Sequence, residues 1–455
     1  MKFFSRIVGL AFILLAVIVI RYHYRDANAA PSEIQSVNSP TWNMTPPGKQ
    51  ISGATGVGAN EPSIDVSPAG TIMIAYNNWM TSENDRDPYF SVSTNEGDSW
   101  TTPAPIYSSS GVNSIQVDVA YTANGNAHAV WVELEDTNPD PFQETKLFYS
   151  RYNGTSWSAP FTLSSITSPL PLIGHPRIVA HGTYLDVVWE EGSPTLIESG
   201  GNAAIWHRRS SNNGQSWSSA VQISDQTSAP AYTAAIDIDP DGHPHAVWRT
   251  SLPAGDSEIR YTEGTVGAGN TVNWSPSINI SGVVTNTNQP EIAAQDGVVR
   301  VSFTQSVISG NNSFNQWVYY TFCQATCLTP GNWEIPFNTI VTPVEVNDNS
   351  PFDVISDIVH ASNDCNYIFF HGLRDDTFGR ELIWDINSCD GWNPPEGWDP
   401  VTNDSTRAIN PRVAVFEGDF YVTFQRVTNA SENIIYFMSG HTSTSRVYSP
   451  IIRKK

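Results

Sequence analysis

Positive charge is scarce in this chain: 23 Lys and Arg, only five of them Lys, stand against 45 Asp and Glu, a formal net charge of −22. That balance favours solubility and works against nucleic acid or an anionic membrane as a partner. Long apolar runs are scarce as well. The run from Ile7 to Ile20 has 14 residues, short of the roughly 17 to 25 that a helix needs to cross a bilayer. With Lys2 and Arg6 ahead of it and Ala27-Asn28-Ala29 behind it, residues 1–29 read as a signal peptide, with a retained N-terminal anchor as the alternative. In either case residues 30–455 are expected outside the cytoplasm, secreted or at the cell surface. Contact with a membrane is expected only through that anchor. Cleavage after Ala29 leaves 44 acidic and 19 basic side chains, a charge of −25. Cysteine is limited to four residues, an even number that an oxidising compartment can pair. No His accompanies them at ligand spacing, so no metal site is expected, and nothing calls for a cofactor.

Charged residues make up only 15% of the chain, whereas aromatics reach 11% with 15 Trp, and Gly and Pro number 31 each. This profile suits many short strands joined by tight turns. A pattern recurs at Ser93-Thr-Asn-Glu-Gly-Asp-Ser-Trp100, Ser150-Arg-Tyr-Asn-Gly-Thr-Ser-Trp157 and Ser210-Ser-Asn-Asn-Gly-Gln-Ser-Trp217. Each copy follows a strand-like run, and a polar turn with Gly at that place is a hairpin signal. Aligned on the Trp, the repeats continue through Trp274, Trp333 and Trp398, at separations of 57, 60, 57, 59 and 65 residues. A period of that size overrides the length-based expectation of two or three domains. Each repeat divides into four strands, A to D, with the B strand ending on an aromatic, as in His128-Ala-Val-Trp131 and His245-Ala-Val-Trp248.

The Ser/Gly/Trp pattern resembles the Asp-box, or BNR, repeat of sialidase-like β-propellers, Ser-x-Asp-x-Gly-x-x-Trp, with Asn95, Tyr152 and Asn212 where the Asp would stand. The resemblance implies an all-β propeller of four-stranded antiparallel blades. Seven B-strand runs point to seven blades, with the six of typical sialidases as the runner-up. The stretch around Trp42 reads as a D strand that precedes any A strand, and so as the outer strand of the last blade, closing the ring. In this register the cysteines pair as Cys323 with Cys327 and Cys365 with Cys389.

The A–B and C–D turns then share one face and the B–C and D–A loops the other. Polar residues gather on the second face. Past the B-strand aromatics come Asn77, Glu133, Glu190, Arg249, His371 and Arg426, and ahead of the strand-A prolines come Glu61, His175, Gln289, Ser350 and Asn410. Trp79, Tyr89, Phe142, Phe314 and Trp317 flank them as candidate sugar-stacking aromatics. The functional reading is a funnel for a glycan or other polar small molecule; the bland one is strand ends meeting solvent. Active sialidases hold the substrate carboxylate with three Arg, one in a motif opening the first blade, beside a Tyr nucleophile paired with Glu and an Asp acid/base. Here that opening reads Asn60-Glu61-Pro62, a carboxylate where a cation is wanted, so ordinary sialidase catalysis is not expected. Arg249, Arg374 and Arg426 form the substitute clamp to test. Asp237-x-Asp239-x-Asp241-Gly242 opens like a Ca²⁺ loop but reaches Trp248 at its twelfth place, and reads instead as a strand entering an Asp-Gly hairpin. Three readings stay open: a non-sialidase glycan binder, a glycoside hydrolase of sialidase-like fold, and a surface scaffold for another protein. A monomer is expected.

Overall fold

The computed structural model describes residues 41–441, leaving out 46–47, 54–56, 83–84, 110–111, 137–142, 169–171, 193–202, 226–228, 253–254, 269–270, 296, 309–313, 339–343, 347–355, 362–364, 374–379, 387–398, 401, 403–406 and 430–431. Expectations for residues 1–29, Phe142, Ser350, Arg374, Cys389 and Trp398 lie outside the described residues, as do the side chains of Cys365 and Phe314.

The recurring turn shows why its sequence repeats. In the first copy Gly97 N donates to Ser93 Oγ at 2.9 Å, Ser99 N donates to Asn95 Oδ1 at 3.0 Å and Asn95 Nδ2 donates to Ser99 Oγ at 2.9 Å. The third copy repeats all three bonds at Ser210, Asn212, Gly214 and Ser216. Asn therefore keeps the acceptor of the Asp-box, adds a donor and drops the charge. In the second copy Asn153 Oδ1, one residue later, accepts from Thr155 N and Ser156 N. The fifth repeat closes the same turn covalently: Cys323 and Cys327, at the places of Ser and Gly, form a disulfide. Thr326 there shares the positive φ of Glu96 and Asn213. Trp333 Nε1 donates to Cys327 O just as Trp100 Nε1 donates to Gly97 O.

Each turn belongs to a four-stranded antiparallel group. The first group is Gly58–Val66, Ile72–Ser82, Asp85–Ser93 and Ala104–Pro105; the second is Asn113–Tyr121, Ala127–Asp136, Gln143–Tyr152 and Phe161–Ser168. A single parallel bridge, Arg86 to Asn113, connects these two. The third is Leu172–His181, Tyr184–Gly192, Ala204–Ser210 and Val221–Gln222. The fourth and fifth begin with Ala231–Ile238 and Thr287–Gln295, the sixth with Ser356–Ala361 and the seventh with Arg407–Phe416. In the seventh, the third strand, Glu432–His441, is flanked on its outer side by Thr41–Trp42 and Lys49–Gln50 from the start of the chain. No α-helix occurs among the described residues.

The second strands form the cores. Tyr76, Trp131, Trp189, Trp248, Phe303 and Phe424 end the apolar runs and are at most 1% exposed. Between groups the hairpin aromatics interlock: Trp157 meets Phe90 edge-on at 5.4 Å, Trp217 meets Tyr149 at 4.8 Å, Trp274 meets His207 at 4.9 Å and Trp333 meets Tyr261 at 4.9 Å. Each Trp packs on the third strand of the preceding group. Trp100 of the first group meets Phe437 of the seventh at 5.0 Å, and Trp42 meets Phe369 of the sixth at 6.4 Å. Gly97 and Gly214 make room for these contacts. Both have positive φ, and a Cβ would lie 2.1 Å from the Phe437 ring and 1.5 Å from the Tyr149 hydroxyl oxygen respectively.

First strands from all of these groups line one cavity of about 300 Å³, the arrangement of a β-propeller around its axis. A first strand is a sheet edge whose outward amides need acceptors, and carboxylates of the neighbouring group supply them. Tyr121 N donates to Asp65 Oδ2 at 2.6 Å, Ile178 N to Asp118 Oδ2 at 2.9 Å, Ala294 N to Asp237 Oδ2 at 2.7 Å and Val413 N to Asp357 Oδ2 at 2.9 Å. Across the cavity, Arg177 of the third group and Arg412 of the seventh both pair with Glu291 of the fifth.

Candidate functional site

Two residues before the cavity lining, the first strands break register. The shifts fall between Asn60 and Ser63, Ile115 and Asp118, Gly174 and Arg177, Tyr232 and Ala235, Asn288 and Glu291, and Ile409 and Arg412. Inside them Glu61, Gln116, His175, Thr233, Gln289 and Asn410 all have φ between 46° and 57°. Left-handed backbone costs a non-glycine residue about 1–2 kcal/mol, and β-bulges re-aim side chains. The result is a strained ring of polar residues at one mouth of the axial cavity. Proline follows Glu61, His175, Gln289 and Asn410, which made these four legible. Gln116 and Thr233 are followed by Val117 and Ala234 and were missed; the register of Gln116-Val-Asp-Val and Thr233-Ala-Ala-Ile against the other first strands is the signal that could have found them.

A relay of hydrogen bonds ties the ring together. Glu61 Oε2 accepts from Gln116 N at 2.8 Å and from Asn77 Nδ2 at 2.7 Å. Gln116 Oε1 accepts from His175 N at 2.8 Å, Glu190 Oε2 accepts from Thr233 N at 2.8 Å, and His371 Nδ1 accepts from Asn410 N at 3.3 Å. Glu190 Oε1 lies 2.9 Å from His175 Nδ1. Burial would raise the Glu190 pKa, but the charge and hydrogen bond of His175, the Thr233 amide and Arg249 hold it below the usual carboxylate range. For His175, the partial loss of water around a ring that is still exposed at the mouth acts against the charge, and the Glu190 carboxylate, with Glu61 behind it, outweighs that and holds the imidazole above its ordinary value. Arg249 sits over the Tyr232 ring at 5.6 Å and Arg426 over Tyr436 at 5.2 Å.

Where they are described, the residues expected to open the B–C loops are strand. Asn77 pairs with Pro88 and Trp79 with Arg86; Glu133 pairs with Lys146, and Glu190 with Ile205. Cross-strand pairing thus continues beyond the aromatic, and it draws Asn77, Glu133, Glu190, His371 and Arg426 into buried positions. Glu133 accepts from the indole of Trp131 at 3.1 Å, as Glu191 does from Trp189 at 2.9 Å; both satisfy a buried Trp two residues earlier. Trp79 donates to Asn60 Oδ1 at 3.1 Å, and its ring lies between Gly58 and Arg86. Tyr89, expected on a loop, is a core residue, and Trp317 is half-buried within the strand Phe314–Cys323. Asp239 to Gly242 forms the hairpin turn, with Gly242 N donating to Asp239 O at 2.9 Å. Among the described residues no group of three or more His, Cys, Asp or Glu is placed to hold a metal ion, and no helix is long and apolar enough to cross a membrane.

Strands and mouth together define an all-β propeller with a polar axial opening. No family model matches the sequence, and no curated protein matches it. Among solved structures the chain is similar to a protein of unknown function from Dyadobacter fermentans, at 11% identity and TM-score 0.49, covering 86% of this chain and 97% of that one. It is also similar to a Hadza microbial sialidase, at 12% identity and TM-score 0.46, covering 87% and 68%. A third is the Trypanosoma rangeli sialidase in complex with sialic acid, at 10% identity and TM-score 0.47, covering 89% and 57%.

Proposed function

We propose that this protein is an extracytoplasmic, sialidase-like seven-bladed propeller, closed by the strand at Trp42, that binds a glycan or similar polar ligand at the mouth ringed by Glu61, Gln116, His175, Thr233, Gln289 and Asn410. One observation carries the reading: Asn77 Oδ1, Tyr232 Oη and Asn288 Oδ1 are buried at this mouth without a hydrogen-bond partner among the described residues. Native proteins rarely leave such atoms unsatisfied, and a hydroxyl-rich ligand offers both donors and acceptors. Sialidase catalysis is not part of the proposal. Glu61 spends its carboxylate on Gln116 and Asn77, while Arg177 and Arg412 are engaged by Glu291. The disulfide at Cys323 and Cys327 suits an oxidising compartment. Glycan-array binding by the mature protein is the test, repeated with His175→Ala and Gln289→Ala. Binding that both changes abolish supports the mouth; binding unaffected by either, or no glycan bound alongside capture of a surface protein, favours the scaffold.

A further inference from the structure

At the fourth member of the ring the relay changes hands. The Glu61 side chain reaches the next bulge amide, Gln116 N, and the Gln116 side chain reaches the one after it, His175 N. Continued by the same rule, His175 would reach Thr233 N. Glu190, from the neighbouring strand of the same group, takes that amide instead. His175 is thereby released from holding the ring together: its side chain is 45% exposed, whereas that of Glu190 is 4% exposed. Its Nδ1 faces Glu190 Oε1 at 2.9 Å, and Nε2 has no partner among the described residues. Gly174, just before it, keeps the carboxylate close, since a Cβ there would stand 3.0 Å from Glu190 Oε1.

A buried carboxylate on one imidazole nitrogen fixes the ring and its tautomer and leaves the second nitrogen to exchange protons with whatever meets it. We propose that His175 is a general acid–base residue, oriented by Glu190, which activates water at Nε2 to hydrolyse an acyl ester carried by a ligand in the mouth. The proposal rests on the mouth being the binding surface. An acyl ester suits this equipment better than a glycoside, because glycoside hydrolysis uses two available carboxyl groups. Here Glu61 and Glu190 are both committed to backbone amides of neighbouring groups. In the step itself, a water oxygen bonds to the acyl carbon as Nε2 takes its proton. The C–O bond to the leaving alcohol then breaks, and that oxygen recovers the proton from Nε2. Acid and alcohol leave, and the imidazole is neutral again. The charged groups around His175 are Glu190 from the second strand of its group, Glu61 from the first group and Arg177 on its own strand, while Arg249 of the fourth group faces Glu190.

The test is hydrolysis of p-nitrophenyl acetate by the mature protein from pH 5 to 9, for the wild type, His175→Ala, His175→Gln and Glu190→Gln. The expected rate rises through an inflection above the ordinary histidine value of about 6.5. It falls at least tenfold in both His175 variants, and the inflection moves down in Glu190→Gln. NMR titration of the histidine ring protons, with the His175 signal assigned by its absence in His175→Ala, should give the same two inflections. Hydrolysis at the wild-type rate in both His175 variants overturns the proposal, and so does a Glu190→Gln inflection that does not move while the variant stays folded. Glycan binding lost in His175→Ala without any His175-dependent ester hydrolysis sinks the dyad and leaves the binding mouth standing.

Discussion

Asp65 is a carboxylate whose charge works against the fold at neutral pH. It accepts from Tyr121 N and Val66 N, yet it lines the axial cavity together with Asp118 and Asp237. Burial raises its pKa, the two amides oppose the rise, and the charges of Asp118 and Asp237 add to it, leaving it at about 7 against an ordinary 3.8. With the folded value above the unfolded one, the associated stability is fully present below pH 3.8 and is lost as pH rises through about 7. At about 1.4 kcal/mol per pH unit, the ceiling on that loss at pH 8 is about 4 kcal/mol. Partial exposure to the cavity lowers the figure, and Asp65→Asn gives up one of two accepting oxygens, at about 1–2 kcal/mol. The variant should therefore be more stable than the wild type by roughly 2 kcal/mol at pH 8 and less stable by about 1–2 kcal/mol at pH 4. Urea unfolding of both proteins at pH 4, 6 and 8 reads the difference directly. A variant destabilised equally at pH 4 and pH 8 would show that the charge has no part in it.

Gly214→Ala combines positive φ with a Cβ placed on the Tyr149 hydroxyl and should cost about 2–4 kcal/mol in urea unfolding; a loss below 0.5 kcal/mol would remove the tight approach between groups. Trp42→Ala strips the N-terminal strand of its contact with Phe369 and should lose about 3 kcal/mol, whereas an unchanged melting curve would argue against closure by this strand. Replacing Cys323 with Ser and Cys327 with Gly recreates the residues of the other turns. It exchanges a short disulfide loop worth about 2 kcal/mol for a hydrogen bond worth about 1 kcal/mol, so the pair should be less stable than the wild type but more stable than the double Ala variant. Stability of the Ser and Gly pair at or below that of the double Ala variant would contradict the equivalence of the two turns.

The repeat made the strands legible because one turn chemistry recurs: at Ser93 to Trp100 and again at Ser210 to Trp217, Ser and Asn accept the turn amides, Gly leaves the gap, and Trp packs edge-on against an aromatic of the preceding group. The Cys323 to Cys327 bridge followed from placing both residues in one such turn. The mouth was half legible. Proline marked Glu61, His175, Gln289 and Asn410, but nothing in composition announces a bulge at Gln116 or Thr233, where the strain comes from register. Nor does spacing along one strand show that Glu190 will reach an amide 43 residues away, or that Arg177 and Arg412 will meet at Glu291 across the axis. Polar residues just past a B-strand aromatic looked like loop residues because they are hydrophilic. They are strand residues whose polar atoms meet partners within their own group, as Asn77 meets Glu61 and Glu133 meets Trp131, or in the next one, as Glu190 meets Thr233 N and His371 meets Asn410 N.

Hydrogen–deuterium exchange of the mature protein, with and without a glycan that binds on the array, tests the central claim most directly. A ligand at the mouth slows exchange at the bulge amides of Thr233 and Gln289 and in the strand Leu172–His181, and leaves the turns around Gly97 and Gly214 on the opposite face unchanged. Protection confined to those turns, or to the outer strands, would contradict binding at the axial mouth.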